Sequence, residues 1–417
     1  MDYKKRIESR EDSYASGTSF DISYDTCINL SFGLVGAENL GEVSKMVRAA
    51  TKHCLDEEEK DPNFSLFQYG PPAGPLSTRK ELSKFLSEAY CEKVYSEDLF
   101  LTNGASNGLN YILSALIEPN GYVRSCIHDV LQNYSTIHRI KNNHTKITSE
   151  GCDLAEFEEK LKTLERKSPR TKLFSIAYYT TTVFNNPTGI TFSKNVCEGL
   201  IALARKYDFF IISEDVYNIY TYKGPVAKRL YSYDRIDDDD YKGNVLSNGT
   251  FSKYLSPGMR IGWMELPPRI KEAMVYHGLP ASSGGLNQFT MAIVKSMLKL
   301  GLAQNHINNM KESLSERMNI CVSILHKHLP KGCSFQEPIG GIFIWIVLPV
   351  GKSAKQLLPL AKGKYNVFYL CGDVFRASSE NCKFENCLRV SISYYTKDKL
   401  AIGLRSLCEA IREYVRM

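Results

Sequence analysis

A lysine that follows a run of small and hydroxyl side chains, with an arginine seven positions further on, is the residue of this chain best suited to covalent chemistry. Lys253 lies in Ser247-Asn-Gly-Thr-Phe-Ser-Lys-Tyr-Leu-Ser-Pro-Gly-Met-Arg260. A lysine acts as a covalent amine only when its ammonium is shifted toward neutrality, which burial or a neighbouring cation achieves. Thr250 and Ser252 offer hydroxyl donors, and the guanidinium of Arg260 matches phosphate oxygens. Taken alone, the segment fits a solvated lysine in a polar loop equally well.

Two further segments follow apolar runs and end in groups that could hold a ligand. Asn186 lies in Phe184-Asn-Asn-Pro-Thr-Gly189, where proline and glycine indicate a rigid turn at the carboxyl end of a strand, the ligand-binding edge of open α/β sheets. Asp215 and Tyr217 end the run Ile211-Ile-Ser-Glu-Asp-Val-Tyr217. A carboxylate there could keep a heterocyclic nitrogen protonated, and the phenol could donate to a nearby oxygen. The alternatives are a simple turn and a surface acid at a strand end.

The elements that position these segments alternate between strands and helices. This alternation predicts βαβ units, a mostly parallel sheet and an α/β fold. A helix is predicted from residue 78, because Thr78 and Glu81 form a capping box, and a long helical stretch over 286–329 is interrupted near Gly301. The residues around Asp237 to Asp240 have no clear period and predict an exposed loop. Further strands are predicted at 122–127, 173–179, 209–213, 244–247, 341–348, 366–370 and 388–394, and further helices at 193–207 and 397–415.

Length and composition exclude several classes of protein. The 417 residues exceed what one hydrophobic core usually supports, so two domains are expected, and 43% hydrophobic with 24% charged residues excludes a disordered chain. A net charge of +6 spread along the chain predicts no nucleic-acid surface. The 12 cysteines are diluted and predict reduced thiols with no metal site. The sequence predicts no membrane span or targeting segment, so a cytoplasmic protein is expected, with the nucleus left open.

The three segments together, in this order and at this spacing, resemble the fold-type I pyridoxal-phosphate enzymes, and among them the class I and II aminotransferases. The similarity runs from about residue 29 to the end of the chain and is closest to the aminoadipate, kynurenine and aromatic aminotransferase branch. It implies a large cofactor-binding domain with a mostly parallel sheet over residues 45–290. It also implies a small α/β domain built from residues 1–44 and 291–417.

The resemblance implies pyridoxal 5′-phosphate as the cofactor and assigns its ligands. Lys253 corresponds to the Schiff-base lysine, which also moves a proton between the substrate Cα and the cofactor. Asp215 corresponds to the acid that pairs with the pyridine nitrogen, although Glu214 has the commoner spacing to Tyr217 and stays an alternative. The other implied cofactor ligands are Tyr69, Gly104, Ala105, Ser106, Tyr134, Asn186, Tyr217, Thr250, Ser252 and Arg260.

The resemblance also assigns residues to the substrate. Arg389, in Cys387-Leu-Arg-Val-Ser-Ile-Ser-Tyr394, corresponds to the arginine that clamps the substrate carboxylate through two parallel hydrogen bonds. Gly33 lies in Phe32-Gly-Leu34, which resembles the mobile segment that covers the substrate. Asn186 would contact both cofactor and substrate.

Two implied positions concern the neighbouring subunit and the cofactor ring. Tyr69 resembles the family tyrosine that reaches the phosphate of a partner subunit, which implies a homodimer with shared active sites. The usual aromatic of the stacking turn is absent from this sequence. Tyr134 is the candidate for stacking on the ring, and Gln132 is the alternative.

The implied activity is transamination in two half-reactions. The amino group of an L-amino acid, either aminoadipate or an aromatic or other apolar one, would pass to a 2-oxo acid such as 2-oxoglutarate, with ping-pong kinetics. The alternatives are a carbon-sulfur lyase or an aminocyclopropane-carboxylate synthase that uses the same cofactor, and a regulator that binds the cofactor without catalysis.

Overall fold

The computed structural model describes residues 27–125, 138, 140–164, 169–283, 285–375 and 384–417. The strands are β1 (Ile28–Asn29), β2 (Leu99–Thr102), β3 (Ile117–Ser125), β4 (Lys141–His144), β5 (Ile147–Thr148), β6 (Gly151–Cys152), β7 (Phe174–Thr180), β8 (Phe210–Glu214), β9 (Val245–Thr250), β10 (Gly262–Glu265), β11 (Ser334–Phe335), β12 (Phe343–Val347), β13 (Val367–Phe368), β14 (Leu370–Cys371) and β15 (Cys387–Ser391). The α-helices are α1 (Ala37–Glu58), α2 (Leu76–Tyr90), α3 (Ala105–Leu116), α4 (Leu154–Lys162), α5 (Lys194–Tyr207), α6 (Pro268–Val275), α7 (Gly278–Ser283), α8 (Gln288–Lys299), α9 (Leu302–His328), α10 (Ala354–Tyr365) and α11 (Lys397–Arg416).

The central sheet joins seven of the described strands in the order β2-β10-β9-β8-β7-β3-β4. Neighbouring strands from β9 to β4 run parallel, and β10 is antiparallel to both β2 and β9. The predicted α/β fold with a mostly parallel sheet is therefore confirmed. Strands β2 and β10 were not predicted. Each has only four residues and adjoins a motif segment, so its apolar pattern is less prominent than the motif.

The two faces of the central sheet carry separate apolar layers. On one face, Phe210, Ile212 and Leu246 pack with residues of α3, and we call this the α3 face. On the opposite face, Ile211 and Val245 pack with residues of α5, and we call this the α5 face. Because successive side chains of a strand point to opposite sides, residues of β8 and β9 are assigned to the two faces in turn.

A smaller antiparallel sheet has the strand order β11-β12-β15-β14 among the described residues, and β1 near the amino terminus pairs in parallel with β13. The predicted strand at 366–370 is thus divided between two sheets. The interruption predicted near Gly301 is confirmed, since that glycine has φ +70° and separates α8 from α9. The domain boundaries near residues 45 and 290 stay a prediction.

Two local predictions have different outcomes. The capping box is wrong: α2 begins at Leu76 after Pro75, and Thr78 is a buried residue of its first turn. The acidic loop does lie at the surface, but Arg205 of α5 binds three of its acids. The guanidinium makes ion pairs with Asp234 at 2.7 Å, with Asp238 at 2.8 Å and with Asp240. No helix in the described ranges has the length and apolar character needed to cross a membrane.

Candidate active site

Lys253 lies in the turn that follows β9. The turn is fixed by the backbone, where the amide of Phe251 donates to the carbonyl of Ile261 at 3.0 Å, and by the phenol of Tyr220, which donates to the carbonyl of Lys253 at 2.7 Å. The Lys253 amine donates to the carbonyl of Gly33 at 2.7 Å. The structure therefore brings the predicted nucleophile to the predicted covering segment, although 220 residues separate the two in the chain.

The charge state of Lys253 is shifted in the direction that covalent chemistry needs. Burial, followed by the nearby guanidinium groups of Arg389 and Arg260, lowers the pKa of Lys253 to about 8, and the carboxyl of Glu214 opposes the shift. Within the described ranges, no carboxylate forms an ion pair with either Lys253 or Arg260. Three cationic groups thus converge on one site, which indicates an anionic ligand.

The amino end of α3 forms a cradle beside Arg260. Gly104 precedes the helix with φ +85° and ψ 165°, a conformation almost restricted to glycine, and no side chain caps the helix. A Cβ at Gly104 would lie 2.6 Å from Arg260 Nη2. The guanidinium of Arg260 donates to Ser252 Oγ at 3.3 Å, to the carbonyl of Pro257 at 2.9 Å and to that of Asn103 at 3.2 Å. The amino end of a helix beside a guanidinium fits a phosphate group.

The other predicted phosphate ligands surround this cradle. Thr250 Oγ1 donates to the carbonyl of Ile261 at 3.0 Å and accepts the amide of Ser252 at 3.1 Å, so this hydroxyl braces the turn. Ser252 Oγ lies 2.9 Å from Thr250 Oγ1 and also accepts from Arg260. Ala105 is buried and Ser106 is exposed, both in the first turn of α3.

The predicted substrate arginine is a second buried guanidinium close to the lysine. Arg389, on β15, is only 6% exposed and donates to Asn186 Oδ1 at 2.6 Å and to the carbonyl of Ser31 at 2.8 Å. Its guanidinium carbon lies 4.2 Å from the centre of the Phe343 ring. Tyr217 contacts the same ring edge to face, with 5.5 Å between ring centres. The structure thus brings Asn186 to Arg389, and brings Arg389 and Tyr217 to the ring of Phe343.

The two acids at the end of β8 point to different faces of the sheet. Glu214 accepts from Asn248 Nδ2 at 2.9 Å on the α3 face. The sequence favoured Asp215 as the acid of the site, but both oxygens of its fully buried carboxylate are directed into the α5 face. They accept hydrogen bonds from Ser213 and Asn218, at 3.0 and 3.1 Å, and from Ser247 at 2.6 Å. The alternation of side chains along a strand explains this difference.

The remaining predicted positions lie on the surface, outside the described residues or, for Gly33, next to the lysine and Phe343. Tyr69 is 85% exposed and lies on the surface of the chain. Tyr134 and Gln132, the two candidates for stacking on the ring, lie outside the described residues. Gly33 has Phe343 as its neighbour, since a Cβ on Gly33 would lie 2.9 Å from that ring.

Two residues of the site were not predicted. Asn248 links Glu214 to α3, because its amide also donates to the carbonyl of Ala105 at 3.0 Å. The signal available in the sequence was weak, since Asn248 is one of several polar residues of β9. Phe343 lies between Gly33, Tyr217 and Arg389. In the sequence it follows Gly340, Gly341 and Ile342. Its proximity to Gly33, Tyr217 and Arg389 is seen only in the folded chain.

Comparison with known proteins gives a consistent assignment. The family model "Aminotransferase class I and II" matches residues 25–407. The chain is 28% identical to the aromatic-amino-acid aminotransferase 1 of Thermococcus litoralis, over 93% of this chain and 89% of that protein. It is 30% identical to the protein YER152C of Saccharomyces cerevisiae, over 84% of this chain and 88% of that one.

A solved structure agrees with these sequence matches. The kynurenine aminotransferase of Pyrococcus horikoshii, solved in complex with PMP, has a TM-score of 0.78 and 26% identity to this chain. The match covers 99% of this chain and 97% of that one. The chain therefore belongs to the class I and II aminotransferases and is a pyridoxal-phosphate-dependent transaminase of fold type I.

Proposed function

We propose that this enzyme moves the amino group of an L-amino acid with an apolar or aromatic side chain, or of aminoadipate, to a 2-oxo acid such as 2-oxoglutarate. The observation that carries this proposal is the position of Lys253, whose amine lies between two anion-binding positions with its pKa lowered to about 8. One position is formed by Arg260 and the amino end of α3, and the other by Arg389. This arrangement suits a phosphate at one end of the reacting group and a carboxylate at the other.

Each side chain then has a defined task. Bound pyridoxal phosphate supplies a reactive carbonyl carbon and a conjugated ring that accepts electrons from the substrate Cα. Arg260 and the amides of the α3 amino end would hold the phosphate, while Arg389 would orient the substrate carboxylate through its planar fork. Lys253 as a neutral amine would accept the proton from the substrate Cα, since its lowered pKa suits general base catalysis near neutral pH.

The surroundings of Lys253 support an apolar side chain on the amino donor. The space beside its amine is small, about 10 Å³, and is lined by Tyr220, by Ser393 and by the aliphatic and thioether side chains of Leu34, Val35, Met310, Leu314 and Ile342. Most of these side chains are already buried, so an apolar substituent on the donor would meet an apolar surrounding, whereas the carboxylate of aspartate would lose its hydration there without a partner. We therefore expect leucine, methionine and phenylalanine to react faster than aspartate in the first half-reaction.

A variant of Lys253 tests the transamination. Lys253→Ala is expected to bind the cofactor without the visible absorbance of the wild-type complex and to lose steady turnover. Lys80→Ala, which removes an exposed lysine of α2, is the matched control and should retain both. Steady transamination by Lys253→Ala would contradict the assignment. In the wild type, addition of an amino acid without an oxo acid should convert the cofactor to pyridoxamine phosphate, whereas an elimination enzyme would release ammonia and keep the cofactor unchanged.

We also propose that the enzyme is a homodimer whose subunits share their sites. Tyr69 is 85% exposed, and near it Phe67 and Phe289 stack with 6.4 Å between ring centres although both are exposed. Exposed aromatic groups of this kind are typical of an interface. Mixing inactive Lys253→Ala subunits with Tyr69→Ala subunits should produce hybrids with one intact site, and no gain of activity on mixing would contradict shared sites.

A further inference from the structure

The acids Glu214 and Asp215 are adjacent in sequence but belong to different environments. Along β8, Phe210 and Ile212 pack on the α3 face and Ile211 packs on the α5 face. The same alternation places Glu214 on the α3 face. Asp215 extends the strand by one residue, since its amide donates to the carbonyl of Asn248 at 2.9 Å, and it therefore belongs to the α5 face.

Asp215 belongs to a buried hydrogen-bond network on the α5 face. Both oxygens of its carboxylate accept hydrogen bonds within this network and point away from the site. Ser247, which donates to Asp215 at 2.6 Å, accepts a long hydrogen bond from Arg229 Nη1 at 3.4 Å. Arg229 is 1% exposed and makes ion pairs with Glu265 at 2.7 Å and with Glu92. The positive charge of Arg229 opposes the effect of burial, which raises the pKa of Asp215. The task of Asp215 in this network is structural.

Glu214, in contrast, is tied to the helix that forms the phosphate cradle. One amide group, Asn248 Nδ2, donates both to Glu214 Oε2 at 2.9 Å and to the carbonyl of Ala105 at 3.0 Å. Gly108 of α3 leaves room for that amide, because a Cβ there would lie 2.5 Å from Asn248 Oδ1. Glu214 is also the acid whose charge acts on Lys253. Its carboxyl therefore lies on the same face as the lysine and the amino end of α3.

We propose that Glu214, positioned by Asn248, is the acid that faces the pyridine nitrogen of the bound cofactor, and that Asp215 only stabilises the sheet beneath it. The inference rests on the proposed function. Burial raises the pKa of Glu214 to about 7, against the hydrogen bond from Asn248. A carboxyl with a raised pKa could hydrogen-bond to the ring nitrogen and would stabilise its protonated form. Such a pair would keep the ring able to accept electrons.

The test compares two cofactors that differ at the ring nitrogen alone. Pyridoxal phosphate and its 1-deaza analogue, in which carbon replaces that nitrogen, are titrated into the apoprotein, and binding is followed by quenching of protein fluorescence. A hydrogen bond to a charged group contributes roughly 1.5–3 kcal/mol. The wild type should therefore prefer pyridoxal phosphate by roughly 10- to 150-fold.

The variants distinguish the two acids. Glu214→Gln should reduce the preference to about threefold or less, whereas Asp215→Asn should keep it while lowering the melting temperature. Ser247→Ala, which removes only one hydrogen bond to Asp215, replaces Asp215→Asn if that variant does not fold, and it should also keep the preference. Glu214→Asp should retain part of it.

Three results would overturn the inference: an unchanged preference in Glu214→Gln, loss of the preference in Asp215→Asn or Ser247→Ala alone, and no preference in the wild type. Failure of the wild type to bind pyridoxal phosphate at all would instead refute the proposed function, so the two failures are distinguishable. Because the readout is a ratio of affinities without turnover, a general loss of activity does not affect it.

Discussion

Replacement of Gly104 by alanine tests whether the amino end of α3 and Arg260 act together as the phosphate site. The new Cβ would lie 2.6 Å from Arg260 Nη2 and 3.1 Å from the guanidinium carbon, so the guanidinium must move. In addition, φ +85° with ψ 165° is a backbone conformation that alanine adopts at a cost of about 1–3 kcal/mol. Gly104→Ala should therefore lower both the stability of the protein and its affinity for the cofactor.

The loss of affinity follows from the contact that Arg260 would make. A charge-assisted hydrogen bond contributes about 1.5–3 kcal/mol. Displacing the guanidinium should thus raise the Kd of pyridoxal phosphate roughly 10- to 150-fold. Titration of the apoprotein with pyridoxal phosphate measures this change, and thermal unfolding of the same samples without cofactor measures stability.

Two other glycines separate backbone strain from steric displacement. Gly301 has φ +70°, but a Cβ there would meet nothing within 4 Å, so Gly301→Ala should lower stability by about 1 kcal/mol and leave the Kd unchanged. Gly363 lies inside α10 without a positive φ and also has open space, so Gly363→Ala should stabilise the helix by about 0.5–1 kcal/mol. A Kd for Gly104→Ala within twofold of the wild type would refute the phosphate site described above.

Other perturbations have equally definite outcomes. Because the pKa of Lys253 is lowered to about 8, the rate at which the apoprotein forms its covalent complex with pyridoxal phosphate should rise as pH increases through about 8 and then level off. Arg389→Gln removes a cation that disfavours the ammonium, so the midpoint of that profile should move to higher pH, and an unchanged midpoint would contradict the electrostatic account. Arg205→Ala leaves the buried carboxylate of Asp234 without its ion pair, and the melting temperature should fall by several degrees in calorimetry, more than for Lys242→Ala of the same loop.

Much of the fold could be predicted from the sequence because its central strands are buried on both sides. Strand β7, for example, is an unbroken buried run, and its predicted start and end differ from Phe174–Thr180 by one residue each. Helix α5 was predicted to within one residue, since Ser193 accepts the amide of Val196 and its apolar residues recur at helical spacing. The start of α2 could not be predicted in this way, because the helix begins at Leu76 after Pro75, which has no side chain that could cap it.

The candidate site likewise has residues that the sequence could indicate and a choice that it could not make. The sequence singles out Lys253, Arg260, Asn186 and Arg389 because the types and spacing of their neighbours are specific, and the roles of these residues stay predictions. The choice between Glu214 and Asp215 depends on the face of the sheet to which each side chain points. The residue that marks the face of Glu214 is Asn248, and the two pair only when β8 lies beside β9. A cytoplasmic location, the stacking residue and the identity of both substrates stay predictions.

The hydrogen bond from the amine of Lys253 to the carbonyl of Gly33 also attaches the backbone around Gly33 to the turn that follows β9. Any ligand that consumes the amine removes the donor, and the backbone around Gly33 then loses one attachment to the central sheet. Occupancy of the lysine is thereby linked to local opening at the mouth of the cavity, with a coupling free energy no larger than one charged hydrogen bond, about 1.5–3 kcal/mol. By reciprocity, a ligand that holds the covering segment closed must also alter how readily the amine reacts.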